Sequence, residues 1–174
     1  MDMIPSFSVD HTRIVPGIFE SRVDTVGGEK VTTFDVRLKR PNREPAVDPA
    51  AMHTMEHIVA TYLRNHPEWK DRLIYWGPMG CLTGFYIIVK GRPAAAEIYP
   101  IILESFRHMS AFEGEVPGAT PENCGKYLMH DLPIARWEAA RFVEYLETAD
   151  RSAMLEYPKA ERLQLDDGQE FFDS

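Results

Sequence analysis

The sequence predicts an α+β fold: a single domain in which an antiparallel β-sheet is packed on one face by helices. Three observations support this prediction. Segments rich in β-branched and aromatic residues lie in the first half of the chain, amphipathic helical segments lie between and after them, and the two kinds do not alternate as they do in a parallel βαβ sheet. The length of 174 residues and the hydrophobic content of 44% suit one globular domain with a buried core.

Four segments have the composition of β-strands, because β-branched and aromatic residues are frequent in them and turn residues bound them. Gly27 and Gly28 mark a turn between the first two strands, and a tight loop from Gly77 to Cys81 separates the last two. The predicted strands are a partly β-like segment at 12–26 and clearer segments at 31–38, 73–76 and 83–89.

Three segments have the apolar spacing of amphipathic helices. Asp48 and Pro49 form a good helix start, with the aspartate as N-cap and the proline at the first helical position. Pro100 predicts a kink in the second helix. The predicted helices span about 48–65, 93–112 and 133–148. The single domain covers 1–174, and within it 150–174 is an acidic tail without an assigned function, whose last residues are expected to fray.

The charge composition argues against some classes of partner. The formal net charge is −8, and an acidic surface does not attract nucleic acid or an anionic membrane. No apolar run approaches the ~20 residues that a membrane helix needs, and the first residues lack the basic and apolar regions of a signal peptide. The two cysteines, Cys81 and Cys124, suit a reducing, cytoplasmic setting in which both thiols are free.

The segment His53-Thr54-Met55-Glu56-His57 predicts a metal site. On a helix, histidines at i and i+4 lie on one face, one turn apart, within reach of a single ion. Glu56 projects beside that ion, so the segment combines two imidazole ligands with a carboxylate that can move protons. The alternative is a histidine pair that occurs by chance and serves the core or the surface.

A catalytic site needs at least one more protein ligand, and spacing alone leaves its identity open. Cys124 precedes Gly125, which lets the backbone approach closely, and a thiolate suits a borderline-soft ion such as zinc or ferrous iron. Cys81, at a tight turn before a strand, is either an acid/base or nucleophile or a buried structural cysteine. The candidate third ligands are Cys124, Cys81, His130, His11 and acidic residues.

Five motifs in order make the chain similar to the S-ribosylhomocysteine lyases, the autoinducer-2 synthase family LuxS. The resemblance covers roughly residues 4–148, and each motif is modest alone. The motifs are Ser6-Phe7-Ser8-Val9-Asp10-His11, Phe34-Asp35-Val36-Arg37 with Pro41-Asn42, His53-Thr54-Met55-Glu56-His57, Gly77-Pro78-Met79-Gly80-Cys81-Leu82-Thr83-Gly84-Phe85-Tyr86, and Cys124-Gly125 with His130-Asp131-Leu132.

This resemblance implies a homodimer of α+β subunits with two identical sites at the interface. It also implies one divalent metal ion per subunit, Fe²⁺ or Zn²⁺, and an S-ribosylhomocysteine substrate. Carried over to this sequence, the implied roles are metal ligand for His53, His57 and Cys124, acid/base for Cys81 and Glu56, and substrate binding for Ser6, His11 and Arg37, while His130 is interpreted as structural.

The implied reaction is a carbonyl migration followed by β-elimination. The sugar opens to an aldehyde, and the carbonyl moves from C1 to C2 to C3 while the metal stabilises the enediolate and Cys81 and Glu56 exchange protons. Loss of the C4 proton then expels homocysteine and leaves 4,5-dihydroxy-2,3-pentanedione, the precursor of autoinducer-2. The chain would thus act in quorum sensing or in the recycling of homocysteine in the methionine cycle.

Two positions depart from the family pattern. Tyr75 stands where the family usually has an aspartate that helps to hold the homocysteine end of the substrate, and tyrosine carries no charge at neutral pH. Leu82 stands where glutamine or arginine is usual. Tyr75 therefore becomes a candidate substrate-binding residue, and both changes concern substrate binding more than the metal or proton transfer.

Two other functions fit part of the pattern. The residues His53, Glu56 and His57 match the HxxEH signature of metallopeptidases, although such enzymes use a carboxylate as third ligand. A non-catalytic metal-binding relative of the lyases, with altered substrate recognition, is the other alternative, and Tyr75 and Leu82 favour it.

Overall fold

The computed structural model describes residues 9–158, and a four-stranded antiparallel sheet forms the centre of this part of the chain. The strands lie in the order β1-β2-β4-β3, and each neighbouring pair is antiparallel, which confirms the predicted sheet. Their bounds are β1 Gly17–Val26, β2 Glu29–Arg37, β3 Leu73–Pro78 and β4 Gly84–Lys90.

Four helices accompany the sheet, and three of them lie where the sequence predicts them. The Asp48 carboxylate accepts hydrogen bonds from the Ala50 and Ala51 amides, so the predicted N-cap is confirmed. Pro100 lies inside the second helix, and the kink expected there stays a prediction. The helices are α1 Pro49–Asn65, α2 Ala95–Ala111, α3 Leu132–Thr148 and the short α4 Arg151–Leu155, which the sequence analysis did not predict. No described helix is both long and apolar enough to cross a membrane.

The two faces of the sheet differ in what they bury. Phe34 and Val36 of β2 point into a core that also contains buried residues of α1, α2 and α3. Because side chains alternate along a strand, Asp35 and Arg37 point to the opposite face, and they are only 1% and 2% exposed. One face of β2 thus packs against helices, while the other carries a buried pair of opposite charges.

The described part of the acidic tail packs against the sheet. Met154 of α4 is fully buried in the core, and α4 lies beside the edge strand β1. Beyond α4, the ring of Tyr157 stacks on Phe19 with ring centroids 4.7 Å apart. Residues 159–174, on which most of the predicted fraying falls, lie outside the described residues, and their assignment to the same domain stays a prediction.

A buried ion pair connects the segment that follows β2 to α3. The Lys39 ammonium lies 2.6 Å from a Glu138 carboxylate oxygen, and the two side chains are only 6% and 8% exposed. Removing one charge from a buried pair leaves the other without compensation, which is more costly than losing an exposed pair.

We therefore expect Glu138→Gln to lower the free energy of unfolding by about 3 kcal/mol in urea denaturation, because Lys39 stays buried without its counter-charge. Glu147→Gln is the matched control, since Glu147 contacts Arg107 at 2.6 Å but both side chains are about half exposed. That change should cost no more than about 1 kcal/mol. Equal losses in the two variants would contradict the interpretation.

Candidate active site

Helix α1 places His53 and His57 on one face, as the sequence predicts. Their ring centroids lie 4.6 Å apart. His53 Nδ1 lies 2.8 Å from the Met129 carbonyl oxygen, and His57 Nδ1 lies 2.7 Å from that of Pro117. Because a carbonyl only accepts, each Nδ1 carries the proton and each Nε2 keeps its lone pair for a metal ion.

The structure brings Cys124, and not Cys81, to this histidine pair. Its sulfur lies 3.3 Å from His53 Nε2, and the Lys126 amide donates to the same sulfur at 3.4 Å. Cysteine sulfur is a common ligand of zinc and ferrous iron, so this position makes Cys124 the candidate third ligand.

His130, which the sequence analysis interprets as structural, completes a cluster of four. The candidate ligand atoms of His53, His57, Cys124 and His130 all lie within 4.8 Å of one another. The His130 ring stacks on that of His53 with centroids 4.2 Å apart. The sequence shows His130 in the motif His130-Asp131-Leu132 after the cysteine, but the orientation of its ring depends on tertiary packing.

Hydrogen bonding fixes the tautomer of His130. The Thr54 hydroxyl donates to the Ala50 carbonyl and accepts from the Asp131 amide, so toward His130 Nδ1, at 3.2 Å, it can only accept. Nδ1 therefore carries the proton, and Nε2 is a bare acceptor, buried and without a hydrogen-bond partner in the described structure. Burial lowers the pKa of His130, and so does the repulsion that His53 and His57 exert whenever they are protonated; both effects favour the neutral ring.

This donor set fits a divalent transition metal. It offers three imidazole nitrogens with free lone pairs and one thiol, all half-buried. Zinc and ferrous iron bind such nitrogen and sulfur ligands. A buried acceptor with no partner, such as His130 Nε2, is unfavourable unless something at the centre satisfies it.

A second group of residues surrounds Cys81. Its exposed thiol lies 3.1 Å from the Thr83 hydroxyl, and an Arg37 Nη1 lies 3.8 Å away. Partial burial raises the pKa of the Cys81 thiol, but hydrogen bonds from Thr83 and the charge of Arg37 outweigh it and lower the pKa below its ordinary value. At any given pH, more of this thiol is therefore ionised than in an ordinary cysteine, which favours a role as a general base.

The Leu82 backbone helps to form the turn that presents this thiol. Leu82 has φ +55°, in the left-handed region that leucine rarely adopts. Its amide donates to the Met79 carbonyl, and its own carbonyl accepts from the Val47 amide, both at 2.9 Å. These two bonds hold the strained residue in place and attach the turn to the chain that leads into α1.

Arg37 is buried rather than exposed at a sheet edge. It donates to Asp35 through Nε, at 3.1 Å, and through Nη2, and its Nη1 donates to the Thr83 hydroxyl at 2.6 Å. His11 lines the same small cavity as Asp35 and Arg37. The cavity has a volume of about 10 Å³, which leaves room for about one water. The structure thus brings His11, Arg37 and Cys81 into one neighbourhood, while Ser6 lies outside the described residues.

Glu56 and Tyr75 lie apart from these contacts. Glu56 is half-buried on α1, and its carboxylate makes no hydrogen bond or ion pair with another residue of 9–158, so this group is available. Tyr75 is 44% exposed, and its hydroxyl lies over Gly77, where any Cβ would collide with it. A side chain at position 77 would therefore require the exposed end of Tyr75 to move.

Metal content tests the ligand set. We expect His57→Ala and Cys124→Ser to reduce bound metal about tenfold or more, because each removes a candidate ligand from the four-residue cluster. Cys81→Ser is the matched control for Cys124→Ser, and it should keep a full complement of metal, measured by elemental analysis of anaerobically purified protein. Metal loss in Cys81→Ser with retention in Cys124→Ser would reverse the assignment.

Comparisons with known proteins show the family to which the chain belongs. The family model of S-ribosylhomocysteinase (LuxS) matches residues 4–152. An S-ribosylhomocysteine lyase of Phocaeicola vulgatus is 56% identical over 162 residues, which cover 92% of this chain and 100% of that protein. Those of Porphyromonas gingivalis and Clostridium beijerinckii are 50% and 42% identical, each over 91% of this chain and 99% of the relative. The chain belongs to the S-ribosylhomocysteinase (LuxS) family.

Proposed function

We propose that the protein cleaves S-ribosylhomocysteine to homocysteine and 4,5-dihydroxy-2,3-pentanedione. One observation carries the proposal beyond family membership: a cluster of three imidazoles and a thiol coexists with a second, exposed thiol whose pKa is lowered. The first arrangement suits a metal that acts on sugar oxygens, and the second suits a base that removes protons from carbon.

The proposed chemistry gives each group a separate task. A divalent ion, Fe²⁺ or Zn²⁺, bound by His53, His57 and Cys124 would supply Lewis acidity to the sugar oxygens. The Cys81 thiolate takes the proton from the carbon next to the carbonyl, and Cys81 or Glu56 returns a proton to the neighbouring carbon, so that the carbonyl advances by one position. After the second advance, loss of the C4 proton breaks the C5–S bond, and the electron pair leaves with the homocysteine sulfur.

For Arg37, the contacts favour support of Cys81 over extensive binding of the ribose. Its hydrogen bonds to Asp35, Thr83 and Cys81 occupy four of the five N–H groups that an arginine has. We propose that His11 and Ser6 contact the sugar and that Tyr75, beside the Cys81 loop, contacts the homocysteine end through its exposed ring and hydroxyl.

We further propose that a homodimer forms each complete site. In residues 9–158 of one chain, no hydrogen bond or ion pair joins the metal cluster to the Cys81 group. The connection between α2 and α3, which contains Cys124 and His130, also exposes three consecutive apolar side chains. Tyr127, Leu128 and Met129 are 38%, 76% and 37% exposed. Such a surface favours a protein partner, and a second copy could bring its Cys81 group to this cluster.

The two alternatives explain less of the structure. A metallopeptidase of the HxxEH type would use a carboxylate as third ligand, whereas the described cluster contains a thiol and a third histidine. A non-catalytic metal-binding protein would not need a thiol of lowered pKa beside a buried arginine. We place the enzyme in a reducing, cytoplasmic setting, since both thiols are free and Cys81 is exposed.

The direct test is release of free thiol from S-ribosylhomocysteine. We expect the wild-type protein to release homocysteine, and Cys81→Ala to be at least about a hundredfold slower, because a general base contributes two to four orders of magnitude. Metal content should stay unchanged in the variant. A wild-type protein with full metal content but no thiol release would refute the proposal.

A mixed dimer tests whether two copies share each site. Cys81→Ala and His57→Ala should each be inactive alone, but co-assembly at equal amounts should restore about a quarter of wild-type activity. Half of the dimers are then mixed, and each mixed dimer contains one of its two sites intact. No recovery, in dimers shown to be mixed by differential tagging, would mean that each site lies within one chain.

A further inference from the structure

Tyr157 lies beyond the family match, which ends at residue 152, yet it reaches the interior of the Cys81 group. Its ring stacks on Phe19 with centroids 4.7 Å apart and only 12° between the planes. Its hydroxyl donates to a carboxylate oxygen of Asp35 at 2.9 Å. The segment after α3 therefore contributes a side chain to the face of the sheet that carries the buried charges.

The tyrosine hydroxyl is a dependable donor in this position. Burial and the charge of Asp35 both raise the pKa of Tyr157 well above its ordinary value, so the phenol keeps its proton. A protonated phenol has one hydrogen to donate, and here it makes a hydrogen bond to the Asp35 carboxylate.

Asp35 needs this donor because its surroundings disfavour a charge. Burial is the largest influence and raises the pKa of the Asp35 carboxyl above its ordinary value. The charge and hydrogen bonds of Arg37, the Tyr157 hydrogen bond and the charge of His11 offset part of this rise. The oxygen that accepts from Tyr157 also accepts from Arg37 Nη2. Tyr157 thus helps both to keep the carboxylate ionised and to fix its rotation.

A continuous set of contacts then leads to the reactive sulfur. Asp35 accepts from Nε and Nη2 of Arg37, so the plane of the guanidinium is fixed. In that orientation, Arg37 Nη1 faces the Thr83 hydroxyl at 2.6 Å and the Cys81 sulfur at 3.8 Å. Since Thr83 accepts from Arg37, its own hydrogen is available for the sulfur at 3.1 Å.

We propose that Tyr157 is a positioning residue for Cys81, acting through Asp35 and Arg37. This inference rests on the proposed function only in assigning Cys81 as the base of the reaction. It extends the working part of the enzyme past the region that the family model matches.

The test measures Cys81 in Tyr157→Phe, which keeps the ring on Phe19 and removes only the hydroxyl. The charged or titratable groups around the sulfur are Arg37, and further away Asp35 and Tyr86, and this variant leaves all of them in the chain. The readout is the rate of iodoacetamide alkylation at Cys81 from pH 6 to 10, resolved by peptide mass spectrometry on full-length, metal-loaded protein.

We expect the alkylation profile of the variant to move to higher pH. At neutral pH, Cys81 should react about threefold to tenfold more slowly, because a tenfold change in thiolate population corresponds to one pKa unit. The acidic limb of the pH profile of kcat/KM should move in the same direction. The loss of rate should persist at saturating substrate, that is, in kcat.

Tyr99→Phe is the matched control. Tyr99 also has a buried hydroxyl, which donates to the Leu146 carbonyl at 2.7 Å on the helical side of the sheet. Its loss should lower stability without moving the Cys81 profile. Equal Cys81 profiles in wild type, Tyr157→Phe and Tyr99→Phe would overturn the inference, and so would equal shifts in both variants.

The experiment separates the inference from the proposed function. A shifted Cys81 profile in a protein that releases no thiol from S-ribosylhomocysteine would support the positioning by Tyr157 and refute the function. An unshifted profile in an active lyase would refute the positioning and leave the function standing.

Discussion

The buried pair of Asp35 and Arg37 is the interaction on which the Cys81 site depends. Two charges removed from water are costly unless each finds several partners, and a pair that loses one partner becomes a liability. Here the partners come from distant parts of the chain: Tyr157 after the last helix, and Thr83 and Cys81 before β4. Because the buried charges need these partners, the distant segments that carry them are held together.

The candidate metal-binding cluster is ordered differently, by backbone carbonyls of one long connection. Met129 and Pro117 both lie between α2 and α3, and their carbonyls hold the two α1 histidines by Nδ1. The same connection supplies Cys124 and His130. A connection of about twenty residues without a helix or strand is uncommon unless it has a function. In this protein it contributes two candidate ligands and orients the other two.

The sequence indicated the parts of the protein that depend on local spacing. The cap at Asp48, the three long helices, the strands and the pairing of His53 with His57 follow from neighbours within a few residues, and the structure contains them. Spacing did not choose between the two thiols, and the family resemblance pointed to Cys124. The orientation of His130 and the contact of Tyr157 depend on packing between segments far apart in the chain, for which the sequence has no local signal.

Gly17, at the start of β1, shows how such packing constrains a residue far from the chemistry. A Cβ at this position would collide with the Met154 carbonyl, so only glycine allows the backbone of α4 to lie this close to the edge strand. Three residues after Met154, the same segment places the Tyr157 hydroxyl against Asp35. A methyl group added at Gly17 would thus displace α4 and lower the reactivity of the Cys81 thiol without touching it. The loss of activity would look like a catalytic defect, although all the reacting groups are present.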